Sequence, residues 1–223
     1  MIAGYVDSCT FLALFGLFVA QVTGSFVLAG TQLVAHEDAG LIKLIGIPVF
    51  FLACAVTTLI VDEMGRSGRS ALAAALALET ILLLGLFTCW SVAGPFHSPH
   101  TAAAVLASVC GLSAMAVQSA LVRLVAKGVP STNVMTTNTT QFAIDATEVV
   151  LTWRAPRGAP ADAAAADAHA SALERFNTMW PVVLGFLVGT VTGALAYERF
   201  DMWCVLAPTA LAGGLAAWAK GTR

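Results

Sequence analysis

Long stretches without a single charged residue constrain the fold of this chain more than any other feature. A helix needs about 20 apolar residues to cross the hydrocarbon core of a bilayer. Only 11% of the 223 residues are charged, and the mean hydropathy is +0.84. The sequence therefore predicts an all-α membrane protein whose main partner is the lipid bilayer. The charge-free runs cover residues 8–35, 44–61, 80–96, 101–122, 176–197 and 202–219.

These runs predict six membrane spans and two short broken or re-entrant helices. The first run is too long for one helix, and Gln21–Ser25 carries polar and glycine residues that favour a break. Residues 153–175 contain Pro156, Gly158 and Pro160, so a flexible loop is expected there, with room for a short surface helix over 161–175. The predicted spans are 2–20, 44–61, 70–96, 101–122, 176–197 and 202–219, and the predicted short helices are 24–36 and 132–152.

The distribution of lysine and arginine predicts that both termini are cytoplasmic. With six spans and an inside N-terminus, only Lys43 and Arg199 fall outside. Positive residues concentrate on the cytoplasmic side of membrane proteins, so this orientation is favoured. The residues that then lie inside are Arg66, Arg69, Arg123, Lys127, Arg154, Arg157, Arg175, Lys220 and Arg223.

A weak internal repeat divides the chain into residues 1–98 and 99–223. The segments 48–61 and 181–194 both open with Pro-Val and share a threonine at matching positions, Thr57 and Thr190. In each half, the order is a span, a short polar piece and two further spans. Three spans per half is an odd number, so the halves would be inverted relative to one another, as in many secondary transporters. A chance match of two apolar helices is the alternative.

Several motifs together resemble a known family. Gly4–Asp7 and Val22–Ser25 are similar to the opening motifs of the YoaK-like bacterial transmembrane proteins, and Gln118–Ala120 with Arg123 and Thr136–Asn138 resembles their second half. The resemblance covers essentially the whole chain and implies a multi-pass protein of the bacterial inner membrane. Members of this family have no assigned function, so the resemblance supplies no substrate. The chain departs from the pattern where Thr137 replaces a glycine and Ser119 an asparagine.

The short polar pieces are the best candidates for a substrate site. A helix N-terminus presents free backbone N–H groups and a partial positive charge, which together can hold an anion or a polar solute. Plain capping of helices at a membrane surface is the alternative reading. The candidate substrate-binding residues are Thr23, Gly24, Ser25, Thr136, Thr137, Asn138 and the polar Gln118.

Carboxylates inside predicted spans are candidates for proton or ion coupling, because ionisable groups are costly there. Asp7 lies in the first span and Glu79 in the third. The alternatives are an interfacial carboxylate near a helix N-terminus for Asp7 and a buried hydrogen bond for Glu79. Asp145 and Glu148 share one helical face and are expected at the cytoplasmic surface, near Arg154.

Gly185, Gly189 and Gly193 form a GxxxGxxxG stripe that permits close helix packing. We expect the stripe to pack within the chain, with a homodimer interface as the alternative.

Other functional classes have little support. The five cysteines are scattered in apolar runs and are expected to be free packing residues. His97 and His100 are too few to hold a metal, and neither a Walker A motif, an HExxH motif nor a GxSxG motif is present. The net charge of −2 gives no reason to expect nucleic-acid binding. No cofactor, metal or enzymatic activity is expected.

The leading hypothesis is a secondary transporter or permease for a small solute, with an anion as one option. A non-catalytic membrane scaffold or partner subunit is the alternative, and a membrane enzyme is the least favoured class.

Overall fold

The computed structural model describes residues 1–35, 40–125, 130, 134–154 and 162–221. Within these ranges the chain is helical and contains no strand, which confirms the all-α fold. A short 3-10 helix, Asp201–Val205, separates the last two α-helices. The α-helices are α1 (Ile2–Ala13), α2 (Val22–Ala35), α3 (Gly40–Arg66), α4 (Ala71–Ala93), α5 (Ala102–Val125), α6 (Met135–Arg154), α7 (Asp162–Phe200) and α8 (Leu206–Gly221).

Four helical stretches in the described part of the chain are long and apolar enough to cross a membrane. They are Ile45–Arg66, Ala71–Ala93, Ala102–Val125 and the 56-residue stretch Ala166–Gly221, which includes the 3-10 helix. The apolar helix α1 is shorter. Large apolar side chains such as Phe51 and Val92 are exposed on these helices, at 72% and 81%. Exposed apolar surface of this extent is typical of helices surrounded by lipid.

The first predicted span, 2–20, is interrupted earlier than expected. Helix α1 ends at Ala13, and the chain then turns through Phe15 and Gly16, whose φ angles are 57° and 76°. Left-handed backbone of this kind ends a helix. The break therefore lies between Leu14 and Gln21.

Helix α7 is longer than the predicted span 176–197. It runs from Asp162 to Phe200 without interruption. Residues 162–175, for which a flexible loop with room for a short separate surface helix was expected, are therefore the start of this long helix. Pro181 lies inside this helix. The N-terminal half of α7 packs against α6, where the rings of Phe142 and Phe176 stack with centroids 5.3 Å apart.

The core lies around α5, the most buried of the candidate spans. Helix α4 packs against α5 and α8, and α3 packs against α5 and α2. Helices α4 and α5 are antiparallel, since the Cβ position of Gly85 lies 3.0 Å from Cys110 Sγ while Leu82 and Val117 line one surface groove further along. Leu83, Leu86, Leu112 and Met115 are fully buried in this core.

Two helix pairs run in the same direction. In the pair α1–α7, Gly189 faces the backbone of Met1 and Gly193 faces that of Tyr5. In the pair α3–α5, Gly46 faces Leu112 and the Cys54 thiol lies 3.7 Å from the carbonyl oxygen of Ala116. Residue numbers therefore increase in the same direction along both helices of each pair, so the two helices of each pair are parallel.

Candidate functional site

The break between α1 and α2 is held by the carboxylate of Asp7. Its Oδ1 accepts hydrogen bonds from the backbone N–H groups of Val19 and Ala20, at 2.7 and 2.8 Å, and its Oδ2 accepts one from Gln21 Nε2 at 3.2 Å. The side chain is only 3% exposed. A carboxylate that accepts several N–H bonds compensates for backbone donors that no helix satisfies. Asp7 therefore fixes the path of residues 14–21.

A cavity of about 390 Å³ lies beside this break. Thr23 at the start of α2 supplies a hydroxyl, Cys54 and Thr58 come from α3, and Ser119 and Arg123 come from α5. A mostly apolar cavity with a few polar groups is the usual form of a small-molecule site. The remaining lining residues are Ala20, Val22, Phe50, Ala120, Leu124 and Val134.

Arg123 gives this cavity its electrostatic character. Its guanidinium carries a permanent positive charge and five N–H donors, which suit an anion. In the described part of the chain, no carboxylate lies within ion-pair distance of Arg123. In the sequence alone, Arg123 stands out only through the distribution of positive charge and the family motif. Its role in a cavity could not be recognised without knowing that α5 passes the break.

The two polar triplets contribute unequally to the cavity. Thr23 lines it, whereas Ser25 is buried with its Oγ 3.5 Å from the Cβ position of Gly46. Gly24 packs beside the ring of Phe18, 3.6 Å from its Cβ position.

The second triplet lies elsewhere, although Val134 just before it reaches the cavity. Thr136 lines an open depression on α6, Thr137 is exposed, and Asn138 is 5% exposed with its Nδ2 3.8 Å from Met135 Sδ. Thr23 and Thr136 therefore do not line one cavity in this conformation.

A smaller cavity of about 260 Å³ lies on the α1–α7 side of the break. Asp7, Ser8 and Gln21 contribute its polar groups from the first helix and the break, and Thr190 contributes a hydroxyl from α7. The two cavities thus flank the same broken segment.

Glu79 lies in the packed interior, and Gln118 is half-buried. The side chain of Glu79 is fully buried in α4, and neither of its carboxyl oxygens has a hydrogen-bond partner among the described residues. The Oε1 atom of Gln118 on α5 is also buried and has no hydrogen-bond partner among the described residues. Gln118 does not line the cavity, although its neighbour Ser119 does.

An ion-pair cluster joins α6 to α7. Asp145, expected at the cytoplasmic surface, is fully buried and accepts hydrogen bonds from Gln141 Nε2 at 2.9 Å and Arg175 Nε at 3.1 Å. Arg175 also pairs with Glu148. Both donors bind Oδ1, whereas Oδ2 is buried without a hydrogen-bond partner among the described residues. The ion pairs join the two helices and hold their register at this point. Local sequence patterns carry no signal that Asp145 and Arg175, 30 positions apart, form a pair.

The glycine stripe of α7 contacts α1. A Cβ atom at Gly193 would lie 2.5 Å from the carbonyl oxygen of Tyr5, and one at Gly189 would overlap Met1. Gly185 lies at the edge of this contact, with its Cβ position 3.9 Å from the Met1 nitrogen. Close approach of two backbones explains why small residues recur there.

Two cysteines that are far apart in the sequence meet in the core. The Sγ atoms of Cys9 and Cys204 are 3.2 Å apart, and both side chains are buried. Across the described ranges, no group of three or more histidine, cysteine or acidic side chains is arranged to hold a metal ion.

Comparison with known proteins identifies the family. The model of the family described as "Protein of unknown function (DUF1275)" matches residues 1–218. No curated protein and no solved structure matches the chain. The family match confirms that the chain belongs to an uncharacterised family, in agreement with the resemblance that the sequence motifs indicated. The chain therefore belongs to the DUF1275 family of proteins of unknown function.

Proposed function

We propose that this protein is a multi-pass permease of the bacterial inner membrane that carries a small anionic solute by secondary transport. The observation that carries the proposal is the cavity beside the α1–α2 break. Its lining combines Thr23, at the start of a half-helix, with the exposed Arg123. Broken helices that present free backbone groups to a cavity are a recurring feature of secondary transporters.

The proposed topology has six crossings with both termini in the cytoplasm. Helices α1 and α2 together form the first crossing, broken at the midplane. This assignment is supported by α5, since Val19 and Thr10 both approach the Cβ position of Gly111, at 3.2 and 3.8 Å, near the middle of that span.

An inverted repeat is the second element of the proposal, and the pattern of helix contacts supports it. If α1–α4 correspond to α5–α8, the pair α1–α7 is equivalent to the pair α5–α3, and α2–α3 is equivalent to α6–α7. All four pairs make contact, and the pair α4–α8 is equivalent to itself. The parallel direction of both α1–α7 and α3–α5 agrees with this exchange. Transport would then rock one half against the other around the break.

The cavity also favours a permease over the two other classes. A non-catalytic scaffold has no need of a positively charged cavity at a broken helix. A membrane enzyme requires ionisable groups gathered at one point, whereas the described lining of the cavity includes one arginine and no carboxylate.

The proposal is tested by uptake into proteoliposomes. Purified protein is reconstituted and screened for uptake of chloride, nitrate, formate, acetate and inorganic phosphate. Each anion is supplied as the salt of the same cation. We expect saturable uptake of one class of anion that Thr23→Leu and Arg123→Gln each remove. The matched controls are Thr88→Leu, an exposed threonine of α4, and Arg66→Gln, an exposed arginine outside the cavity. Absence of uptake of every anion, or equal loss in both controls, would contradict the proposal.

A further inference from the structure

Glu79 of α4 and Gln118 of α5 are placed at the same level of this helix pair by the contacts further along it. The side chain of Leu86 lies 3.7 Å from the Cβ position of Gly111 on α5. Glu79 is two helical turns from Leu86 on the same face of α4, and Gln118 is two turns from Gly111 on the same face of α5. Because the two helices are antiparallel, these equal displacements place Glu79 and Gln118 at the same level.

The immediate surroundings of this pair are apolar. Ala75, Leu76, Val117, Leu121 and Ala216 form one buried apolar cluster, whose members on α4 and α5 are sequence neighbours of Glu79 and Gln118. The two carboxyl oxygens of Glu79 accept no hydrogen bond from the described part of the chain. The same holds for Gln118 Oε1. Three buried acceptor oxygens on these two side chains thus have no hydrogen-bond donor among the described residues.

The titratable groups on the other elements that pack against α4 are Arg123 and Cys110 on α5, Lys220 on α8, and Asp201 and Cys204 on the 3-10 helix. On α3 the titratable groups with described side chains are Cys54, Asp62, Glu63 and Arg66, and the last pairs with Asp62. None of the apolar cluster residues around Glu79 can neutralise a carboxylate.

A single proton resolves this arrangement. Burial of an ionised carboxylate without a donor is strongly unfavourable, whereas a carboxylic acid supplies its own O–H donor. The O–H group of Glu79 would donate to Gln118 Oε1, so that one added proton pairs two of the three acceptors. We propose that Glu79 and Gln118 form a proton-binding site, and that this site couples a proton to solute movement through α5.

The coupling part rests on the proposed permease function. Gln118 lies at the level of Glu79 while the next residue, Ser119, lines the anion cavity, so one turn of α5 touches both sites. Loss of the proton would leave a charged carboxylate in an apolar interface and favour a conformation that admits water or a counter-charge. Uptake of an anion together with a proton would follow.

Infrared spectroscopy tests the proton site without any solute. We expect the carbonyl stretching band of a protonated carboxyl group in neutral buffer, absent in Glu79→Gln and retained in Glu63→Gln, an exposed control on α3. Gln118→Leu is expected to move the band to higher wavenumber without removing it, because the hydrogen bond is lost. Absence of the band from the wild-type protein, or its survival in Glu79→Gln, would overturn the proposal. So would a sodium-dependent rise in thermal stability that only Glu79→Gln abolishes, since that would assign the site to a metal cation.

Proteoliposomes with an imposed pH gradient test the coupling separately. Glu79→Gln is expected to lose gradient-driven accumulation of the anion but to keep exchange of labelled for unlabelled anion. Accumulation equal to that of Glu63→Gln would overturn the coupling. If no anion is transported at all, the permease proposal fails while the infrared result still decides the proton site.

Discussion

At the scale of single residues, Asp7 shows a polar side chain that binds the backbone of its own chain. Asp7 was expected to contribute proton or ion coupling, and the structure places it against two backbone N–H groups of the broken segment. This arrangement compensates for N–H groups that would otherwise lie unpaired in an apolar interior. A role in coupling and a role in holding the break are compatible, but the second has a direct consequence for stability.

Replacement of Asp7 should therefore destabilise the fold in a graded way. We expect Asp7→Ala to lower the free energy of unfolding by about 2–4 kcal/mol, because two buried donors lose their acceptor. Asp7→Asn keeps one carbonyl oxygen and should cost about 1 kcal/mol. Unfolding in mixed detergent micelles measures both. Asp62→Asn, which removes an exposed carboxylate, is the control and should change little. Equal stability of Asp7→Ala and Asp62→Asn would contradict this role.

The thiols of Cys9 and Cys204 give a second consequence at this scale. Their Sγ atoms lie 3.2 Å apart, so a small shift brings them within bonding distance. We expect a membrane-permeant oxidant such as diamide to link them, with diamide taking up the two hydrogen atoms. Intact mass and peptide mapping detect the product. Cys9→Ser should prevent it, whereas Cys89→Ser should not. A protein with all five thiols free after oxidation would contradict the contact.

At the scale of helices, local pattern predicted most elements and missed those fixed by distant contacts. The charge-free runs identified α3, α4, α5 and α8 because hydropathy and length are local properties. The end of α1 at Ala13 could not be predicted from local hydropathy, because it depends on the hydrogen bond from the Val19 N–H group to the Asp7 carboxylate.

The helical start of α7 has a comparable origin. Its alanine-rich segment is a good helix former, but its continuity depends on α6, through the pairing of Arg175 with Asp145. Among the site residues, the pattern selected Thr23 because polar residues stand out in an apolar run. It did not select Arg123 for the cavity, because cavity lining depends on how α5 packs.

The close contact of α1 with α7 makes a prediction with a matched control. An added methyl group at Gly193 meets the Tyr5 backbone, whereas Gly214 on α8 has nothing within 4 Å. We expect Gly193→Ala to reduce stability by about 1–3 kcal/mol through overpacking. Gly214→Ala should be neutral or stabilise by up to about 1 kcal/mol, since alanine favours helix over glycine. Detergent unfolding compares them, and the same sign of change in both variants would be inconsistent with this packing.

At the scale of the whole molecule, the cavity is where the two halves of the chain meet. Thr23 and Cys54 come from the first half, and Ser119, Arg123 and Val134 come from the second. Contacts between α1 and α7 and between α3 and α5 hold the halves together on either side of the break. A movement of one half against the other would therefore change the cavity directly.

The reactivity of Cys54 tests this account most directly, because its thiol lines the cavity near Arg123. In a variant that keeps Cys54 as its single cysteine, we expect charged methanethiosulfonate reagents to modify it, the anionic reagent faster than the cationic one. A variant that keeps only Cys89, on α4 outside the cavity, should stay unmodified. Addition of Arg123→Gln should abolish the preference for the anionic reagent. An unreactive Cys54, or faster modification by the cationic reagent, would contradict a water-accessible anion cavity at the broken helix.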